Sequence, residues 1–310
     1  MSQLPSQADL AVQAKLDRSA STGIRASLTS MIISVGLGAV KVISGVVGHS
    51  YALIADGVES MLDVISGAIV AGSLKVAAQP PDEKYPFGYG RVEPAAALLV
   101  SIGLLATAVG IAIQSVREIL TPHHAPAPFT LVVLILVVVT KELLYRFLQR
   151  TGDSIDSNAV RTDAWHHRSD SLTSAAAFVG ISIALAGGEG YEQADDWAAL
   201  FAAGVIAFNG IKLLRKAWRD IVDASLPERV IEEIRETARR VEGVAGVDMC
   251  RVRKSGLGLW VDIHVEVHGD MTVREGHRIA HRVKDALLAS GHSVMDVDVH
   301  IEPASGLGDS

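Results

Sequence analysis

The sequence predicts a multi-pass membrane protein, with six transmembrane helices followed by a C-terminal cytoplasmic α/β, metallochaperone-like domain. Three observations carry this. Hydrophobic residues make up 49% of the 310 positions, and mean hydropathy is positive at +0.31. Apolar residues concentrate between Ala26 and Ile211, while charge crowds into the N-terminal stretch, the connectors and the region beyond Asp220. Pro94 to Val116 contains no Asp, Glu, Lys or Arg. At about 1.5 Å per residue that run crosses a hydrocarbon core of roughly 30 Å, which argues against a soluble globular protein.

The first predicted span runs from about Ile24 to Gly48, with Arg25 at its mouth and Lys41 as its only deeper charge. The second, from near Ser50 to near Ala78, carries Asp56, Glu59 and Asp63. Pro80 and Pro81 stop it by removing backbone donors and restricting the residues before them. The third occupies Val92 to Ile119. The fourth follows Pro128, passes through the β-branched run Leu131 to Thr140 and ends near Arg150. Val and Ile favour sheets, but this run continues through Lys141, Glu142 and Leu143 without a turn signal, so a helix is predicted. The fifth covers Ser157 to Gly187 and the sixth Ala194 to Lys216, separated by Gly187, Gly188 and Gly190.

Basic residues set the orientation. Lys75, Lys84 and Arg91 surround the link between spans two and three. Arg146, Arg150, Arg161 and Arg168 surround that between four and five, and Lys212, Arg215, Lys216 and Arg219 follow span six. The positive-inside bias puts both termini in the cytoplasm. No secretory signal is expected, since Gln3, Gln7, Lys15, Asp17 and Arg18 interrupt the opening stretch.

Beyond Asp220 the pattern changes. Pro227 followed by Glu228 to Arg240 reads as a helix, Val247 to Val252 and Leu259 to Val267 as strands, Thr272 to Ser290 as a second helix and Val294 to Ile301 as a third strand. Thr272 and Glu275 form a capping-box signal. The expected organisation is a cytoplasmic N-terminal segment (1–23), a six-helix transmembrane domain (24–219), a cytoplasmic domain (220–303) and a flexible tail (304–310). So small a soluble fold gains stability by docking or dimerising.

Formal charge is −7, from 28 basic and 35 acidic residues, so no nucleic-acid partner is expected. The single cysteine, Cys250, can form neither an internal disulfide nor a thiolate cluster, and reads as a small strand residue.

The chemistry lies in ionisable residues within the spans. Glu59 and Asp63 are four positions apart on span two, as are His166 and Asp170 on span five. Such a spacing returns to one helix face, so each pair can aim two ligands at one point. If the spans pack together, three carboxylates and an imidazole surround one ion. Charge at bilayer depth costs several kcal/mol, and a divalent cation or protons relieve the repulsion among the carboxylates. Asp56 and Asp163 lie near these faces and are candidates to orient ligands or accept protons, while His167 points about 100° from His166.

Three stretches carry a family resemblance: Leu53 to Asp63 (LIADGVESMLD), Tyr85 to Glu93 (YPFGYGRVE) and Asp163 to Asp170 (DAWHHRSD). With them the chain resembles the cation diffusion facilitator family of proton-coupled divalent-metal exporters from Ile24 to Pro303. The resemblance implies a homodimer in membrane lipid, with Glu59, Asp63, His166 and Asp170 as the transport ligands of each protomer. The family commonly has His or Asp where Glu59 stands. Zinc leads as the ion because carboxylates with histidine form its tetrahedral shell. Iron, manganese, cobalt and cadmium also fit, and the oxygen-rich set moves weight toward manganese or iron(II).

The resemblance further implies a loop metal site with Asp82, where Tyr85 and Tyr89 stand near places histidine often fills, and an interprotomer charge pair between Arg91 and Asp223. It also implies a regulatory metal site from His264, His300 and Glu302. On a strand His300 and Glu302 share a face, as do Asp262 and His264, while Asp248 lies on another strand. Val247 stands where some relatives use histidine. His277 and His281 read as solvated helix residues, and His123 and His124 either as weak collectors of metal or as exposed loop residues with no such task. The expected protein is a divalent metal/proton antiporter working by alternating access, not an enzyme, in a bacterial plasma or inner membrane. The alternatives are a membrane metal sensor without transport and an exporter preferring manganese or iron(II).

Overall fold

The computed structural model describes residues 7–47, 51–120, 130–187 and 194–304. Side chains are described in these segments except at 7–9, 44–47, 51–59, 61–63, 130, 177, 181, 184–185, 194–196 and 198. The first six elements are long helices: α1 Gln7–Val47, α2 Tyr51–Ala77, α3 Val92–Leu120, α4 Thr130–Ser154, α5 Asn158–Gly187 and α6 Ala194–Ile221. Helix α2 ends just before Pro80 and Pro81, as their missing donors require. Helix α1 begins well before Ile24, because Ala, Gln, Leu and Lys in its first turns all favour helix. Helix α6 likewise runs past Lys216 to Ile221.

Among the described residues, Leu10–Ile43 and Val92–Leu120 are long and apolar enough to cross a membrane, and Val64–Ala77 is a shorter apolar stretch. Ionisable groups interrupt the others: Lys141 and Glu142 in α4, Asp163 and Asp170 in α5, Lys212 in α6.

The chain divides into two compact units. One is formed by Ser21–Lys75 and Val92–Trp218, the other by Met1–Ala20, Val76–Arg91 and Arg219–Ser310. The helical unit is built inside out relative to a water-soluble bundle. Lys41, Glu93, Lys141, Asp163 and His167 are at most 1% exposed, whereas Ile32, Val132, Phe201 and Phe208 are each more than 70% exposed. Helix α5 is the central strut, packing against α3 and α4. Its start is fixed from α3: the Glu93 carboxylate accepts the Ala159 amide at 2.7 Å and the Ser157 hydroxyl at 2.6 Å. A carboxylate at a helix N-terminus satisfies an otherwise orphaned donor.

In the second unit, α7 (Glu228–Arg239), β1 (Gly246–Ser255), β2 (Gly258–Val267), α8 (Val273–Ala289) and β3 (Val294–Pro303) reproduce the predicted helix-strand-strand-helix-strand order. The sheet order is β1-β2-β3, antiparallel for the hairpin and parallel across the α8 crossover. Ile263, Val265, Ile234, Val283 and Leu287 are fully buried in its core. Strand β2 alternates as read: its odd-numbered residues enter the core, while Asp262, His264 and Glu266 lie on the half-buried face. Both halves of the Thr272/Glu275 capping box are formed.

The loop between α2 and α3 belongs to this unit and lies on the hairpin. A Cβ added to Gly90 would stand 2.8 Å from the Ser255 backbone, and one added to Gly256, at φ +61°, would stand 2.7 Å from the Gly90 carbonyl oxygen. Only glycines permit so close a backbone approach. Gln13 and Lys15 of α1 reach the same unit, donating to the carbonyls of Ala78 and Gly291.

Candidate metal centres

In the helical unit, α2 carries Glu59 and Asp63, together with Asp56; their side chains lie outside the described residues. The histidines of the link after α3, His123 and His124, lie outside them as well. Helix α5 carries His166 and Asp170, both half-buried. The Asp170 Oδ2 accepts from the Lys141 ammonium at 2.9 Å. Asp163, one turn before His166, is fully buried and accepts the Ser66 hydroxyl of α2 at 2.8 Å. Helices α2 and α5 are thus in direct contact at Ser66 and Asp163.

His167 turns away from His166, as the 100° step predicts, into a polar core that sequence spacing did not reveal. Its Nε2 lies 2.6 Å from the Ser30 hydroxyl of α1, and its Nδ1 lies 3.3 Å from the Lys141 ammonium of α4. An ammonium only donates. Nδ1 therefore accepts, and Nε2–H donates to Ser30. A second buried lysine, Lys41 of α1, donates to Ser60 of α2 at 2.9 Å, one residue from Glu59. Both lysines were legible as charges within predicted spans; their partners were not.

The soluble unit holds a second cluster. Asp248, His264 and Glu302 offer ligand atoms that all lie within 4.8 Å of one another. Glu302 Oε1 is 2.7 Å from His264 Nδ1 and 3.6 Å from His300 Nε2. The parallel register pairs His264 with His300 and Glu266 with Glu302, which sets the two imidazoles side by side, tilted, with ring centroids 4.9 Å apart. His264, His300 and Glu302 are therefore brought together as expected.

Asp262 is not part of this cluster. It shares the β2 face of His264, but a two-residue step along a strand is about 6.6 Å, and it lines a cleft of ≈ 560 Å³ with Trp260, Arg253 and Asp298 instead. Asp248 takes the expected place of Asp262 because of a β-bulge. The hairpin pairs Ser255 with Gly258 and Cys250 with Ile263, but then Val247 with Val265. A regular ladder would set Asp248 opposite Val265, on the core face. The extra residue lets Asp248 and Met249 both oppose His264.

Two other expected site residues take part in hydrogen-bonded networks of the chain's own. Asp82 is a turn anchor: its carboxylate accepts the amides of Lys84 and Tyr85 at 2.9 and 2.7 Å and the Tyr89 hydroxyl at 2.6 Å. Tyr89 and the turn amides hold the Asp82 carboxyl below its ordinary value, and Asp82 pushes the Tyr89 phenol up to about 12. Among the described residues, this loop supplies no group of three metal ligands. Arg91 pairs with Asp223 within the chain. Arg253 approaches the same carboxylate oxygen at 3.3 Å, and Arg91 also donates to the Ile221 carbonyl. The close backbone approach at Gly90 brings this arginine within reach.

The exposed pair His277 and His281 meet edge to face on α8, with ring centroids 4.6 Å apart. Cys250 is a buried core thiol.

Residues 27–222 match the cation efflux transmembrane domain, and residues 226–304 match the cytoplasmic domain of cation efflux proteins. Metal tolerance protein C1 of Arabidopsis thaliana is 32% identical over 286 residues, which cover 87% of this chain and 60% of that longer protein. Manganese efflux system protein MneP of Bacillus subtilis is 29% identical, with 90% of this chain and 95% of the relative covered. Cation-efflux pump FieF of Cronobacter sakazakii is 27% identical over 91% of this chain and 93% of its own. A solved MamM-CTD structure is 33% identical over 24% of this chain and 96% of that one, with a TM-score of 0.24. Matched through both its membrane and its soluble parts, the chain belongs to the cation diffusion facilitator family.

Proposed function

We propose that the protein is a transporter, not an enzyme, which exports zinc or a related transition metal from the cytoplasm in exchange for protons. The ion is held by Glu59 and Asp63 of α2 with His166 and Asp170 of α5. The observation that carries this reading is the 2.8 Å hydrogen bond from Ser66 to Asp163. Ser66 follows Asp63 by three residues and Glu59 by seven; Asp163 precedes His166 by three and Asp170 by seven. In a bundle of six crossings α2 and α5 run in opposite senses, so both pairs lie on the same side of that bond. At about 1.5 Å per residue, Asp63 and His166 share a level about 4.5 Å beyond it, and Glu59 and Asp170 one about 10.5 Å beyond it.

Three carboxylates in so apolar a setting need positive charge, supplied in turn by the divalent ion and by protons. The outward-facing apolar side chains and inward-facing charges of the helical unit support membrane embedding. The basic connectors support an orientation with both termini in the cytoplasm, in a bacterial inner membrane. The Asp248–His264–Glu302 cluster on the open sheet face is a regulatory metal site, and the cytoplasmic domain joins two protomers. Manganese or iron(II) is the second reading for the cargo: the set is oxygen-rich, and one relative is named for manganese efflux.

The test is flux of zinc, manganese and iron(II) into sealed proteoliposomes under imposed pH gradients. Uptake driven by an opposing proton gradient, and abolished by Asp63→Ala or Asp170→Ala in an intact dimer, is the expected result. Metal binding without flux of any ion would make the protein a sensor, and wild-type flux in either variant would remove that residue from the site.

A further inference from the structure

We propose that Lys141 is a tethered counter-cation of the transport site, competing with the transported ion for Asp170. This deepens the proposed metal site and rests on it. Lys141 is 0% exposed on α4, and its ammonium lies 2.9 Å from Asp170 Oδ2. It also lies 3.3 Å from His167 Nδ1, on a ring fixed from its far side by Ser30. The ammonium thus lies between a carboxylate that also serves as a proposed metal ligand and an imidazole nitrogen that does not.

A divalent ion and an ammonium repel strongly where water is excluded, and both seek the same carboxylate oxygens. Arrival of the ion therefore drives Nζ from Asp170 toward His167, and departure of the ion lets it return. Lysine suits this exchange, being a compact charge on a flexible four-carbon stem. The tether lowers the affinity of Asp170 for metal and keeps that carboxylate compensated while the site is empty. Strong ligands then release their cargo without waiting for a mobile cation to reach this oxygen.

The test is metal affinity of purified full-length protein for Zn²⁺ and Mn²⁺, measured on a His264→Ala background that disables the soluble cluster. Lys141→Gln and Lys141→Met should bind at least about tenfold more tightly than the lysine parent, with slower vesicle flux. Lys141→Arg keeps the charge and grips a carboxylate with two parallel donors, so it should bind more weakly than the parent. Equal affinities across the folded series, or weaker binding by the neutral variants, would overturn the proposal. Should the neutral variants not assemble, Lys141→Arg alone decides: affinity equal to or above the parent's counts against a tether. Asp170→Asn separates this from the site itself. Metal binding unchanged by Asp170→Asn ends the proposed site, whereas binding lost there but flat across the Lys141 series ends only the tether.

Discussion

Cys250 shows how one residue's surroundings set its chemistry. The side chain, on β1, is 7% exposed in the core, and burial pushes its thiol up to about 11, against the opposing charge of Arg235. A protonated, covered thiol is a poor nucleophile. An aromatic disulfide reagent at pH 8 should therefore modify almost none of the native protein, and one thiol per chain in denaturant.

Asp82 gives a pH-dependent counterpart. Its carboxyl is held below the ordinary 3.8, so the turn it anchors is fully supported above that value and loses support as pH falls through the depressed one. Tyr89, raised from 10.0 to about 12, supports the same turn below pH 10 and stops doing so as pH rises through its own value. Hydrogen exchange should show protected Lys84 and Tyr85 amides between about pH 4 and 10, and loss of that protection in Asp82→Ala. For the soluble cluster, Asp248→Asn and His264→Ala should each weaken zinc binding at least about tenfold by calorimetry, with Asp262→Asn unchanged.

At the scale of elements, α5 and α8 start in contrasting ways. Helix α8 is capped locally by Thr272 and Glu275, and Thr272→Ala should lower the stability of the soluble unit by about 1 kcal/mol in urea. Helix α5 is capped from α3 by Glu93, through the Ala159 amide and the Ser157 hydroxyl. Glu93→Ala leaves those buried donors without this acceptor, so a loss of about 1–3 kcal/mol should appear as a lower melting temperature in detergent. The first cap was legible in the sequence because a capping box spans four residues. The second was not, because nothing local at Ser157 points to a carboxylate on another helix. The same division holds elsewhere. Long apolar runs marked the six helices and period-two alternation marked β2, since both signals lie along the chain itself. The bulge that turns Asp248 onto the face of His264 depends on pairing with β2, and the setting of His167 depends on α1 and α4. A one-residue step away from His166 could be read, but not what waited there.

The whole molecule joins two units with opposite surface logic. The helical unit exposes Ile32, Val132, Phe201 and Phe208 while burying lysines and carboxylates; the soluble unit has a continuous apolar core and a polar open face. Their cohesion comes from different solvents: water drives the second together, while the first relies on internal polar contacts and an apolar surround. The units should therefore fail independently. Calorimetry of purified protein should resolve two endotherms. Shortening the detergent's alkyl chain should move one and leave the other, whereas added zinc at fixed detergent should raise both, because each unit carries a proposed metal site.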